Sequence, residues 1–207
     1  MRFIQVMVLA IVLVLVTSCA VPPFEFNPET PNMNIDLSHK RPLSIAIVVQ
    51  DPMDYTLFYK GERGYSRDAT AESRSRGFPI ERDLSKISEE TFSQIFTQVL
   101  VLRDLPQPGQ YDAVINLSIG QILMKERVIV TGETCDVTAD WYVSVLDKHN
   151  REIFSKKGIS PVHNFKWSAM SPSRDMTIGL NATMSMILSE LAREWGHILY
   201  NMKIPTP

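Results

Sequence analysis

The run Cys135-Asp-Val-Thr-Ala-Asp-Trp-Tyr-Val-Ser-Val145 alternates apolar and polar side chains without a break. Side chains two apart share one face of a strand, so this run demands a sheet that buries Cys135, Val137, Ala139, Trp141, Val143 and Val145. Other segments supply partners for it. Leu43–Val49 is rich in β-branched residues and stops at Asp51-Pro52. Asp112–Ile119 turns Ala113, Ile115, Leu117 and Ile119 to one side, and the pattern extends through Ile122 and Met124. Val128–Val130 adds a strand segment, and Asp147-Lys-His-Asn150 reads as a hairpin turn into Arg151–Gly158.

Two segments change to helical periodicity. From Ile80, the residues Leu84, Ile87, Thr91 and Ile95, with Phe92, Phe96 and Val99, form one stripe, and Gln98–Leu102 can follow as a short strand. Ser171-Pro172 offers an N-cap with proline in the first turn. Met176, Leu180, Met184, Ile187, Leu188, Leu191, Trp195, Ile198 and Leu199 then mark a long amphipathic helix over residues 174–202. The order β-α-β-β-β-β-α predicts an α+β two-layer sandwich: a mainly antiparallel sheet of about four or five strands under two helices.

The N-terminus predicts an address and an anchor. Arg2 precedes the apolar run Phe3–Val16, broken only by Gln5, and the small residues Thr17 and Ser18 lead into Cys19. That is the layout of a secretory signal peptide. Val16-Thr-Ser-Cys19 resembles a bacterial lipobox, although Leu is commoner than Val at its first position. The resemblance implies cleavage between Ser18 and Cys19, with diacylglycerol and an N-acyl chain carried covalently by Cys19 and no other cofactor. The competing reading is a transmembrane anchor, but the uninterrupted run Val6–Val16 falls short of the ~20 residues a bilayer requires. Ala20 stands where an Asp would favour inner-membrane retention, which implies the periplasmic face of the outer membrane. Residues 19–42, with Pro22, Pro23, Pro28, Pro31 and Pro42, read as an extended tether, unless Phe24 and Phe26 fold it onto the domain. The expected organisation is thus a signal peptide at 1–18, a tether at 19–42 and one domain at 43–207.

With Cys19 acylated, Cys135 has no disulfide partner and reads as a small buried hydrophobe. The proline-rich segment, the apolar strand, the helix, the Ala-Val-Ile-Asn-Leu-Ser-Ile strand and the Val-Leu-Asp-Lys-His-Asn-Arg-Glu-Ile-Phe hairpin together resemble small periplasmic lipoproteins. The YajG-like family, the auxiliary lipoproteins of envelope ABC transporters and the N-terminal domain of TolB share this layout over about residues 43–160. The resemblance rests on pattern and has no diagnostic side-chain motif. It implies a periplasmic role in transport or assembly.

No catalytic signature appears. His39, His149, His163 and His197 form no i, i+4 metal pair, and there is no nucleophile elbow or phosphate loop. Glu133 shares the strand face of Cys135, and Asp136 and Asp140, on the opposite face, read as solvated. A net charge of −2 argues against nucleic acid. Two stretches could bind instead. Tyr55–Phe78 sets Arg63, Tyr65, Arg67, Arg74 and Arg76 in a segment with a basic excess of +2, or else it is a solvated loop. His163-Asn-Phe165-Lys-Trp167 places aromatics at alternate positions, either as an exposed contact ridge or as a cap on the core.

The expected function is that of a membrane-anchored, non-enzymatic accessory, assembly or transport-auxiliary lipoprotein that contacts an envelope protein. A lipid- or glycan-binding lipoprotein is the alternative. Cys19→Ser is expected to leave the chain uncleaved or soluble in fractionated cells, and inhibition of the lipoprotein signal peptidase should accumulate precursor. Processed, membrane-bound Cys19→Ser protein would contradict the anchor.

Overall fold

The computed structural model describes residues 24–35, 40–50, 55–60, 70–75, 80–129, 132–167 and 172–204. Its elements run β1 (Arg41–Gln50), β2 (Tyr55–Lys60), β3 (Thr70–Ser75), α1 (Ile80–Phe92), β4 (Phe96–Leu102), β5 (Ala113–Ile129), β6 (Gly132–Asp147), β7 (Glu152–Ile159), β8 (His163–Trp167) and α2 (Pro172–Asn201). The α+β two-layer class stands: one sheet lies under two helices. The sheet has eight described strands rather than four or five, and three of its pairings are parallel.

The long hairpin β5–β6 is the middle of this sheet, paired from Ala113↔Asp147 to Ile129↔Gly132. Beside β5 lie β1, in parallel with Ala113–Ser118, and further along β2, in parallel with Ile122–Lys125. Beside β6 lie β7 along Asp140–Leu146 and β8 along Glu133–Val137, both antiparallel. The register shifts between Ile119 and Ile122, where Gly120 and Gln121 together stand opposite Asp140. This extra residue switches the inward parity of β5 from odd to even. Ile119, Ile122 and Met124 therefore stay buried on one side, whereas an unbulged strand would have turned Ile122 and Met124 out.

The parallel pairs follow from connectivity. β1 and β4 pair in parallel, and parallel neighbours need a crossover, here through α1. The polar stretch after Asp51, expected as a loop, carries the hairpin β2–β3. Tyr55-Thr-Leu-Phe-Tyr favours a strand by its composition, while Thr70–Ser75 takes its strand form from pairing with β2. His163–Trp167 is likewise a strand, paired with β6. The Ser171 cap and the Val130 end of the expected strand lie outside the described residues; Pro172 does open α2.

Both helices cover one face. Leu84, Ile87, Thr91 and Phe92 of α1, and Leu180, Met184, Ile187, Leu188, Leu191, Trp195 and Leu199 of α2, are buried against Ile45, Ile47, Ile115, Leu117 and the inward residues of β6. Trp141 faces this core and Tyr142 the opposite side, as the alternation predicts; Trp141 meets Trp195 edge-on, with centroids 6.1 Å apart. The Arg41 guanidinium donates to the carbonyls of Leu199 and Met202, 3.0 and 2.7 Å away, closing the C-terminal end of α2.

The tether needs correction. Residues 24–35 belong to the folded domain, which therefore begins well before Leu43. Phe26 and Met33 are buried in the main core. Glu25 N–H donates to Asn181 Oδ1 at 3.2 Å, Asn27 N–H to Ser185 Oγ at 2.9 Å, and Met33 N–H to Gln94 Oε1 at 3.0 Å. The Thr30 hydroxyl donates to Glu90. The segment thus runs across α1 and α2, and its prolines suit an extended path whose amides are satisfied by side chains of α2 and of the turn after α1. Gly196 lies where Met33 enters: a Cβ there would come within 2.8 Å of Met33 Cε and 3.2 Å of Thr91 Cγ2, so the end of the Met33 side chain would have to shift.

Phe26→Ala is expected to cost about 3–5 kcal/mol in denaturant unfolding, the range for deleting a buried aromatic ring. A loss below ~0.5 kcal/mol would be that of an exposed tether residue and would contradict the packed segment.

Candidate functional site

The sequence candidates do not converge on one place. Ser18, Cys19, Ala20, Arg63, Tyr65, Arg67 and Arg76 lie outside the described residues. The backbone of Arg74 is on β3, opposite Thr56, near the edge of the sheet. Trp167 pairs with Glu133 at the end of β8, and Phe165 pairs with Cys135. Phe165 is half-buried against the core, with its ring so close to Gly179 of α2 that a Cβ there would come within 2.1 Å. Of the two sequence readings, this ring takes the cap rather than the ridge. Cys135 is buried.

His163 is tied to α2, with Nε2 2.9 Å from Glu190 Oε2. Asp140 is exposed opposite the β5 bulge, and Asp136 is half-buried two outward positions before it on β6. Among the described residues, no group of three or more His, Cys, Asp or Glu side chains is gathered to hold a metal ion. A groove of about 600 Å³ between β7 and α2 is lined by Lys156, Pro161, Glu190, Arg193, Glu194 and His197 among others. Lys156 in it pairs with Glu194 at 2.9 Å and lies over the Trp141 ring, 5.4 Å from its centroid.

The more distinctive surface is the face of the sheet turned away from the helices. Ala46, Val48, Val114 and Leu146 form a second apolar cluster there, with Leu102 and Tyr111 packed against it. The register sets Leu100 opposite Ala46 and Ile159 opposite Asp140, on the same side. Leu100 is 44% exposed and Ile159 67%. In the middle of the face, Asn116 donates to Ser144 Oγ at 3.2 Å. No described helix covers this side. The signal for it was available in β1, where Ala46 and Val48 make the strand apolar at both parities, a pattern that demands burial on two sides.

The rim of this face is braced by the β6–β7 turn. Asp147 accepts both Nε and Nη2 of Arg151, at 2.9 and 2.7 Å, and the amides of His149 and Arg151 at 2.8 and 3.0 Å. Asn150, with φ of 57°, completes the turn in the left-handed region that asparagine tolerates. Its side chain donates to the Pro106 carbonyl at 2.9 Å, and Gly109 N–H to that of Lys148, so the turn holds the loop that carries Tyr111. These donors, the Arg151 side chain foremost, hold the Asp147 carboxyl down at about 2.

No family model matches the chain, and no curated protein matches it. Solved structures share its fold. A Xanthomonas campestris protein assigned to the family model DUF330 superposes with a TM-score of 0.50 at 8% identity, over 87% of this chain and 95% of that one. A neuraminyllactose-binding hemagglutinin homologue from Helicobacter pylori gives 0.52 at 8% identity, over 87% and 93%. A minor lipoprotein from Acinetobacter baumannii gives 0.39 at 7%, over 78% and 96%, too distant to carry an argument. At these identities the likeness is one of fold, and it does not distinguish the YajG-like group from others.

Because Asp147 is more acidic folded than unfolded, its contribution is complete above its ordinary value near 4 and is lost as pH falls toward 2. Asp147→Asn should therefore lower stability at pH 7 and flatten the loss between pH ~4 and ~2, measured by denaturant titration at each pH. An unchanged acid slope in the variant would assign that loss to other carboxylates.

Proposed function

We propose that this chain is an envelope lipoprotein, anchored through acylated Cys19 at the periplasmic face of the outer membrane, that works by protein contact rather than by turnover. The observation that carries this reading is the sheet face that no described helix covers, where Leu100 stands exposed opposite Ala46 of a small apolar cluster and Ile159 stands exposed farther along the same face. Apolar side chains on a rigid, one-sided sheet suit a partner that completes the second layer. The β2–β3 hairpin continues the same sheet past β5, and the basic residues that the sequence sets in this stretch, Arg63, Arg67, Arg74 and Arg76 with Tyr65, suit an acidic partner surface. A lipid anchor would concentrate the domain at one membrane, so weak contacts suffice. An accessory, assembly or transport-auxiliary role is the form this takes.

The lipid- or glycan-binding alternative gains one point, that the Helicobacter pylori homologue is named for binding neuraminyllactose. Against a lipid between the layers, that space is filled by Phe26, Phe92, Phe96, Trp195 and their neighbours.

Leu100→Arg and Ile159→Arg are expected to shift the unfolding midpoint by less than ~3 °C while abolishing complementation of a deletion strain. Alanine at Glu133, Asp136, Asp140 or His163 should complement fully. If one of those four abolishes function in folded, membrane-localised protein, a catalytic or metal-dependent role replaces the contact reading. A lipid or glycan co-purifying stoichiometrically, identified by mass spectrometry, would favour the alternative.

A further inference from the structure

We infer that the outward strip of α2 formed by Ile178, Ala182 and Met186 rests on the bilayer that holds the chain's own acyl group. The inference builds on the anchor reading of Cys19 and adds to it a fixed orientation. The packed segment reaches the helices at Phe24, so only residues 20–23 separate Cys19 from the folded domain. Even fully extended, that leash spans no more than about 18 Å between the two Cα atoms. A domain of this length has a radius of gyration of roughly 16 Å, so the anchor cannot reach around it. Only surface close to Phe24 can meet the membrane.

That surface is the outer side of α2. The Glu25 and Asn27 amides dock on Asn181 and Ser185, each one residue before a member of the strip. Ile178, Ala182 and Met186 recur every four residues and so form one line on the helix. Ile178 is 50% exposed and Met186 49%, although the helix needs neither for its core. Met186 also lines the surface groove shared with Asn27, Glu29, Thr30 and Pro31 of the packed segment. Charges around the strip are mixed: Arg174 and Arg193 against Glu25, Glu29, Asp175 and Glu190. Contact with the bilayer is therefore apolar rather than an attraction to anionic headgroups, and the short leash supplies the local concentration that such a small patch needs. The sheet face on the other side from α2 then points away from the membrane.

The test uses the full acylated protein, reconstituted into phosphatidylethanolamine–phosphatidylglycerol vesicles with and without lipids brominated on the acyl chains. Single cysteines at Ile178→Cys, Met186→Cys, Leu100→Cys and Ile159→Cys carry a bimane fluorophore; Cys135 is buried and Cys19 is acylated. Labels at 178 and 186 should be quenched at least about two-fold more than those at 100 and 159, as expected for a face lying in the interface. Inserting twelve Gly/Ser residues between Pro23 and Phe24 should bring them down to the level of the controls without changing vesicle flotation. Equal quenching at all four sites in protein that floats would overturn the docking while leaving the anchor intact. Full quenching at 178 and 186 after the insertion would overturn the leash as its cause. Failure to float would remove the anchor and the docking together.

Discussion

The pairing of β5 with β6 is the constraint on which the remaining elements depend. It spans Ala113 to Ile129 on one strand and Gly132 to Asp147 on the other, and every other strand joins the sheet through one of these two or through a strand already attached to them. Strands of this length twist strongly, so no single neighbour follows them from end to end. β1 and β2 instead share one edge, and β7 and β8 share the other. The bulge at Gly120–Gln121 reconciles the two halves. Without it, the residues after Ile119 would turn their apolar side chains toward solvent and the helices would have no continuous surface to cover.

Once that sheet exists, both helices pack on one side and the chain is left with two unequal surfaces. The covered side takes the aromatic residues, including the Trp141–Trp195 pair, and recruits residues 24–35 to close the groove between α1 and α2. Recruiting them makes this proline-rich stretch part of the domain rather than a spacer. The side that no described helix covers keeps a small apolar cluster and the exposed Leu100 and Ile159. Under the proposed function, a lipid anchor on the helix side and a contact surface on the opposite side would direct recognition away from the bilayer.

Much of this was legible in particular residues. The Cys135–Val145 alternation placed Trp141 inward and Tyr142 outward, and the Asp147–Asn150 turn emerged where its residues prefer to turn. The α2 stripe from Leu180 to Leu199 was equally plain, because 3.6-residue periodicity over many turns has no other explanation. The β2–β3 hairpin and β8 were not legible as strands. Thr70-Ala-Glu-Ser-Arg-Ser75 carries no apolar alternation, and only its pairing with β2 marks it as a strand. The candidate contact face was hidden for a related reason: its members are scattered over β1, β4, β5, β6 and β7, and only register brings them together.

The sequence by itself determined the local periods, and through them the α+β class, the buried side of each regular element and the leader-like N-terminus ending at Cys19. Those properties depend on the side chains within a few residues of one another, which a linear reading contains. The tertiary structure alone decided that β1, β4 and β5 run in parallel, that Phe26 and Met33 leave the tether for the core, and that Phe165 caps the core against Gly179. Each of these depends on a partner more than ten residues away, whose approach is set by the twist, the bulge and the space left between two helices. No local pattern encodes that space; it exists only after the layers have packed.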